Sequence, residues 1–305
     1  METVEITIIG AGVVGLAVGY ELSQGCKDIF IVEKNPSFGQ ETSSRNSEVI
    51  HSGIYYPKDS LKAKTCLEGK YLLYRFCLNY NIPHKKIGKL IVANKVEEEK
   101  KLYELFQQGL DNGVEDLRLI NEKEIKTLEP NIKARLAIFS GSTGIIDSHT
   151  LMKILLEKFK SQGGEIVYNS EVVGIDKQKE GFVLQVRDNK GERFNFLSKI
   201  VINSAGLNSD KVARMAGIDR EDYRLKYCKG DYFRVSSKKA SLIKHLIYPV
   251  PKQTGLGIHA TLGLAGSLRL GPDDEYVREI NYAIDERKKK IFYESVRSFL
   301  PFLEE

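Results

Sequence analysis

Between Ile6 and Glu33 the chain carries residue types suited to holding a phosphate rather than to breaking a bond. The apolar run Ile6-Thr7-Ile8-Ile9 leads into Gly10-Ala11-Gly12-Val13-Val14-Gly15, then a helix-compatible segment to Gly25, then Ile29-Phe30-Ile31-Val32-Glu33. This spacing predicts strand, tight turn, helix and strand. Gly10 makes the turn, Gly12 offers no side chain to keep a pyrophosphate off the backbone, and Gly15 lets the helix pack on the strand. The unpaired amides of the helix start, at the positive end of its dipole, then face the diphosphate. Glu33 lies eighteen residues past Gly15 at the end of the second strand. A carboxylate there can accept hydrogen bonds from both ribose hydroxyls and would repel a ribose 2′-phosphate. Gly10, Gly12, Val14, Gly15, Glu33 and the adjoining Lys34 are therefore cofactor-binding candidates, with FAD and NAD both open at this point.

The composition sets wide bounds around that motif. At 305 residues the chain is long enough for two domains, with 42% hydrophobic and 29% charged residues, ordinary values for a globular protein. The net charge of +5 comes from 46 basic against 41 acidic residues. The densest basic run, Arg287-Lys288-Lys289-Lys290, sits in a helical pattern and reads as a solvated face rather than a nucleic-acid patch. Four scattered cysteines, Cys26, Cys66, Cys77 and Cys228, have no metal-ligand spacing. With a strand beginning almost at Met1, they point to reduced thiols in a cytoplasmic protein. Ile8 to Tyr20 is too short and glycine-rich to span a bilayer, which leaves peripheral membrane contact open.

The segment after Glu33 favours FAD over NAD. A plain NAD domain usually enters another crossover unit soon after its second strand. This chain has a long polar segment rich in hydroxyl and amide donors, suited to a cofactor threaded through the protein. Glu41-Thr42-Ser43-Ser44-Arg45-Asn46-Ser47, followed by Val49-Ile50-His51-Ser52-Gly53-Ile54-Tyr55-Tyr56, resembles the flavin loop of the D-amino-acid oxidase superfamily, in particular its L-2-hydroxyglutarate dehydrogenase/oxidase branch. The likeness continues through Lys62-Ala63, Cys66, Glu68-Gly69, Pro83-His84 and Gly88-Lys89-Leu90-Ile91-Val92-Ala93 and covers nearly the whole chain. It implies that Ser43, Ser44, Arg45 and Asn46 contact the cofactor, with His51 near the isoalloxazine.

Farther on, Val96 to Gly109 has the helical spacing of an amphipathic surface helix, and Asn121 to Leu128 is a short helix. Ala134 to Ile146 reads as extended with turns at Gly141 and Gly144. Asp147 or Ser148 caps a helix running to Gln162. Glu165 to Tyr168, Glu171 to Lys177, Phe182 to Arg187 and Phe194 to Asn203 are strands; the first rejoins the parallel sheet and the middle pair form a hairpin. By the resemblance, the backbone around Val172 and Val173 flanks the adenine. The small-residue turn Ser204-Ala205-Gly206 is a second place where main chain can approach a cofactor closely.

Strands at Leu225 to Val235, Leu246 to Val250, Leu256 to Leu262 and Gly266 to Leu270 suggest an antiparallel sheet that, with Lys86 to Ala93, forms a second domain over the flavin. The expected fold is therefore α/β, α+β overall: a Rossmann-like FAD-binding domain (1–85 and 146–222) and a mainly antiparallel substrate domain (86–145 and 223–305).

The resemblance implies that a carbon bearing a hydroxyl or amine is oxidised by hydride transfer to the flavin while the protein orients the substrate and takes the hydroxyl proton. Histidine suits that proton role. Of five histidines, His84, His149 and His245 read as surface groups at loops or caps. His259, alternating on an expected strand, matches a histidine of the hydroxyglutarate branch and is the candidate base, with a satisfied sheet histidine as the other reading. His51 reads as flavin contact before proton transfer. Carboxylate ligands would be Arg269, Lys229, Tyr232 and Tyr55 or Tyr56, since Arg binds carboxylate through two parallel hydrogen bonds; for Arg269 a structural ion pair is an equal reading. No residue cluster suggests a metal.

Members of that branch run on past the point where this chain reaches Leu300-Pro301-Phe302-Leu303-Glu304-Glu305, into a Gly-Ile-Arg-Pro-Lys-type segment and a glycine-rich loop that close over the flavin. A fragment, a partner chain supplying the remainder, or flavin held by its adenosine-diphosphate half alone are all consistent with this. The expected activity is FAD-dependent oxidation of a 2-hydroxy acid, L-2-hydroxyglutarate-like, to the 2-oxo acid, with oxygen, quinone or a carrier protein as electron acceptor. The alternatives are an amine or amino-acid oxidase of the glycine/sarcosine oxidase type, or a truncated non-catalytic subunit.

Overall fold

The structure, a computed structural model, describes residues 1–251 and 257–304. The chain divides into two compact units, residues 1–46 with 148–226 and residues 47–147 with 227–305. The first unit is built on a six-stranded sheet. Its order is Ser170–Gln178, Gly181–Asp188, Arg193–Asn203, Thr3–Ile9, Ile29–Val32 and Glu165–Val167. The last four run parallel, and the first two are the hairpin the turn residues predict. The helix Val13–Ser23 connects Thr3–Ile9 to Ile29–Val32, and Ser148–Ser161 leads into Glu165–Val167. Apolar side chains decide this arrangement: Ile8, Leu16 and Ile31 are fully buried, each worth about 1.5–3 kcal/mol on burial.

The second unit holds a seven-stranded sheet ordered Phe233–Arg234, Leu268–Leu270, Ala260–Leu262, Leu246–Pro249, Lys89–Ala93, Leu136–Ser140 and Leu117–Asn121. Its pairs are antiparallel except one, in which Leu246–Pro249 runs parallel to Lys89–Ala93. The expected strand Leu256 to Leu262 starts outside the described residues, and its described part forms strand only from Ala260. A three-stranded sheet joins Val49–Ile50, Gly144–Ile146 and His84–Lys85. Among the described residues no helix is long and apolar enough to cross a membrane.

Three features differ from the sequence reading. Residues 47–85, expected with the nucleotide-binding part, fall in the second unit, because Val49–Ile50 pairs with Gly144–Ile146 and Ile54 joins that unit's apolar core. Within them lies a helix the sequence reading passes over, Leu61–Asn79, whose N-cap Ser60 accepts from the Ala63 amide. The extended run Leu225 to Val235 is not one strand but two, Tyr227–Lys229 and Phe233–Arg234, in different sheets. The break comes at Gly230 and Asp231. A side chain on Gly230 would meet Pro272 at 2.7 Å, and the Asp231 amide donates to Asp273.

Candidate functional site

In the first unit each glycine of the opening motif has a physical reason. Gly10 has φ 103°, and a Cβ there would lie 2.6 Å from the Ser204 carbonyl oxygen. A Cβ on Gly15 would collide with the Gly10 carbonyl oxygen, so the helix could not seat against the turn. Gly12 is the N-cap of Val13–Ser23 and has no side-chain cap; a Cβ there would come within 3.0 Å of Ser43 Oγ. That hydroxyl accepts from the Val13 amide at 3.0 Å and so anchors the loop after Glu33 to the helix start.

Glu33 is 7% exposed. Its Oε2 accepts from the Ala11 amide at 2.7 Å, and its Oε1 accepts from both the Asn35 amide and the Asn35 Nδ2. The carboxylate thus neutralises donors at the strand ends, while Oε2, with a single donor, keeps a lone pair for a further one. The sequence reading expects a ribose contact from Glu33 and does not foresee this internal duty.

Around these residues lies a cavity of about 640 Å³, within the range of cofactor sites. Of the cofactor-binding candidates, Gly10, Gly12, Val14, Glu33, Lys34, Ser43, Asn46, Val172, Ala205 and Gly206 line it. Gly15, Ser44, Arg45 and Val173 are not in its wall. Gly15 acts behind it, by packing. Ser44 Oγ donates to the Glu41 carbonyl and the Arg45 guanidinium to the Gln40 and Glu41 carbonyls, so both brace the loop instead. Val173 sits at a register shift in its strand, where Val172 but not Val173 is buried. Ser148, Met152, Lys211 and Met215 also line the cavity and were missed. They come from helices 139 or more residues from Ile9, with no local signal. Bare amides, a carboxylate and a helix start with a Cβ-free approach fit the adenosine-diphosphate half of FAD.

In the second unit His259 is 4% exposed, lies immediately before the strand Ala260–Leu262, and stacks on Tyr248 with ring centroids 3.5 Å apart. Tyr55 is deeply set and its hydroxyl has no hydrogen-bond partner among the described residues. Burial, with help from Lys89 and Lys62, pushes the His51 imidazole down to about 3, so this ring is neutral at ordinary pH. Lys89, 1% exposed, places its ammonium over the rings of Tyr55 at 4.5 Å and Tyr248 at 5.0 Å. The sequence reading gave Lys89 no role.

The carboxylate-binding candidates do not all converge. Arg269 lines a cavity of about 490 Å³ with Arg234, Glu48 and Asp147, approaches Glu48 at 3.5 Å, and keeps its Nε unpartnered. Tyr232 lies under its guanidinium, 5.8 Å away. Lys229 is absent from that wall, since it donates to the Ala283 carbonyl and pairs with Asp231 at 3.5 Å.

Two surface readings need correction. His245 is not a surface group: its amide and Nδ1 both meet the fully buried Glu129 carboxylate at 2.7 Å. Lys288, in the basic run, is gathered by Asp231, Asp273 and Glu275 at 2.7–2.8 Å rather than solvated. His84 is half-buried beside the Ile82 carbonyl, and His149 is exposed and stacked on Phe38.

Comparison with known proteins places this geometry. The mitochondrial L-2-hydroxyglutarate dehydrogenase of Arabidopsis thaliana is 36% identical over 100% of this chain and 71% of its own length. The human protein of the same name is 38% identical over 88% of this chain and 60% of its own. The chain thus spans well under the whole of either relative. Among solved structures, the dithionite-reduced L-α-glycerophosphate oxidase of Mycoplasma pneumoniae with FAD bound superposes with a TM-score of 0.89 at 29% identity, covering 100% of this chain and 80% of that one. A family model described as FAD dependent oxidoreductase matches residues 5–305. With the glycine cradle and cavity already in view, the chain belongs to the FAD dependent oxidoreductase family.

Proposed function

We propose that this chain carries the FAD-binding and substrate-handling parts of an enzyme that oxidises a 2-hydroxy acid, L-2-hydroxyglutarate or a close dicarboxylate, to the 2-oxo acid. The observation that carries this reading is the 36–38% identity to L-2-hydroxyglutarate dehydrogenases over 88–100% of the chain. FAD, when bound, supplies the hydride acceptor. Gly10, Gly12 and the first-turn amides after them would hold its pyrophosphate, and Glu33 the ribose, with Val172, Ala205 and Gly206 along the adenine.

His259 is the proposed base for the substrate hydroxyl; its stacking on Tyr248 holds the ring in one plane, as a positioned proton acceptor requires. His51, neutral through burial, offers a hydrogen bond without a charge. Arg269 is the proposed carboxylate anchor, with an Nε that already lacks a partner. An electron acceptor completes the cycle.

Anaerobic mixing of the FAD-loaded chain with a panel of hydroxy acids and amines tests the reading. Bleaching of the flavin by 2-hydroxy dicarboxylates supports it, and bleaching by amines alone overturns it. His259→Ala should slow flavin reduction by about a hundredfold or more, while an unchanged rate removes His259 from the proton step.

A further inference from the structure

Among the described residues of the second unit, Lys89 is a charge in an unusual setting. It begins the strand Lys89–Ala93 in the middle of the seven-stranded sheet, opposite Leu246 on one side and Ser140 on the other. Its side chain is 1% exposed. Among the described residues it has no carboxylate within 4.0 Å and no hydrogen-bond acceptor; its ammonium faces only the rings of Tyr55 and Tyr248.

Lys70, also buried, shows what a settled case looks like. It donates to Ser142 Oγ, which in turn donates to Asp116. A buried charge without a partner is costly, and ring faces offset only part of that cost. Close by, the buried Tyr55 hydroxyl also lacks a partner. A cation and a hydroxyl left unpaired together describe a site whose missing element is an anion.

We propose that Lys89 is a positioning residue that supplies the counter-charge for a carboxylate of the substrate, acting across Tyr55, whose hydroxyl makes the direct contact. The inference rests on the dicarboxylate reading above and goes beyond it by assigning recognition of the substrate's charge to a residue that is only 1% exposed. The titratable groups facing Lys89 are His51 and Tyr55 from the segment after Val49–Ile50, Cys66 from the helix Leu61–Asn79, and Tyr248 from the strand Leu246–Pro249. None of them is an acid that could neutralise it at ordinary pH.

Burial holds the Lys89 ammonium down to about 7, with Cys66 opposing slightly. An arriving carboxylate favours the charged form, so binding takes up a proton above about pH 7.

The test is calorimetric binding of glutarate, a dicarboxylate with no hydroxyl to oxidise, to the FAD-loaded chain in buffers of differing ionisation enthalpy. Wild type should lose about tenfold in affinity per pH unit above about pH 7 and take up as much as about one proton. Lys89→Met should bind at least about tenfold more weakly at neutral pH, with no proton uptake and no pH dependence. Lys89→Arg, charged throughout, should restore much of the affinity while still taking up no proton. Glutarate binding with the same affinity and proton uptake in Lys89→Met as in wild type overturns the inference alone. Failure of wild type to bind glutarate, together with bleaching by amines only, overturns the dicarboxylate reading and this inference with it.

Discussion

The two units treat buried charge in opposite ways. In the first, Glu33 is buried but answered three times by amide donors on its own side of the fold, so the nucleotide-binding crevice is complete before any ligand arrives. In the second, Lys89 and the Tyr55 hydroxyl are buried and unanswered. The difference separates a site made by backbone geometry, which is stable when empty, from one made by side chains that hold polarity in reserve for a ligand. The first is expected to lose stability with any change of shape; the second is expected to gain stability when its charge is removed.

Substitutions that break the first half of this contrast should have the largest effects. Gly15→Val forces a side chain into the Gly10 carbonyl, a backbone clash with no room to relax. It should cost more than about 4 kcal/mol and abolish flavin binding, seen as a lost unfolding transition and a colourless preparation. Glu33→Ala strands the Ala11 and Asn35 amides. It should cost about 3 kcal/mol in urea unfolding and weaken FAD binding as well.

Lys89→Met sharpens the other half, because its sign is reversed. The folded-state value of about 7 lies below the unfolded value of about 10.4, so the folded state binds fewer protons between them. Wild-type stability should therefore rise with pH from about 7 to about 10, the cost of the buried charge being full below that window. Lys89→Met should lack that rise and be more stable at neutral pH by about 2 kcal/mol. Thermal unfolding across the pH range reads both effects.

Legibility in the sequence divides along the same line. The nucleotide crevice is encoded locally: three glycines, one carboxylate and alternating apolar runs lie within 33 residues, and their spacing alone prescribes the strand, turn and helix that form. The hairpin Ser170–Asp188 announced itself through its turn residues in the same way. The second unit depends on partners far apart. Glu129 finds His245 across 116 residues, which made His245 look like a loop histidine. Lys89 looks like the exposed start of a strand until Leu246–Pro249 pairs beside it and Tyr55 and Tyr248 cover it. The helix Leu61–Asn79 was silent because it has no strong apolar stripe: Leu61, Leu72 and Leu78 are all exposed.

The most direct test of the account is a fluorescence titration of FAD into wild type and Gly12→Val. A side chain on Gly12 meets only the Ser43 hydroxyl, at 3.0 Å, so the protein should still fold, at a cost of about 1–3 kcal/mol. The bare approach to the helix amides would nevertheless be filled. Wild type should bind one FAD per chain, competed by ADP, and a folded Gly12→Val should bind it about a hundredfold or more less tightly. Equal affinity in the two proteins, or a folded wild type that binds no FAD, would contradict the account.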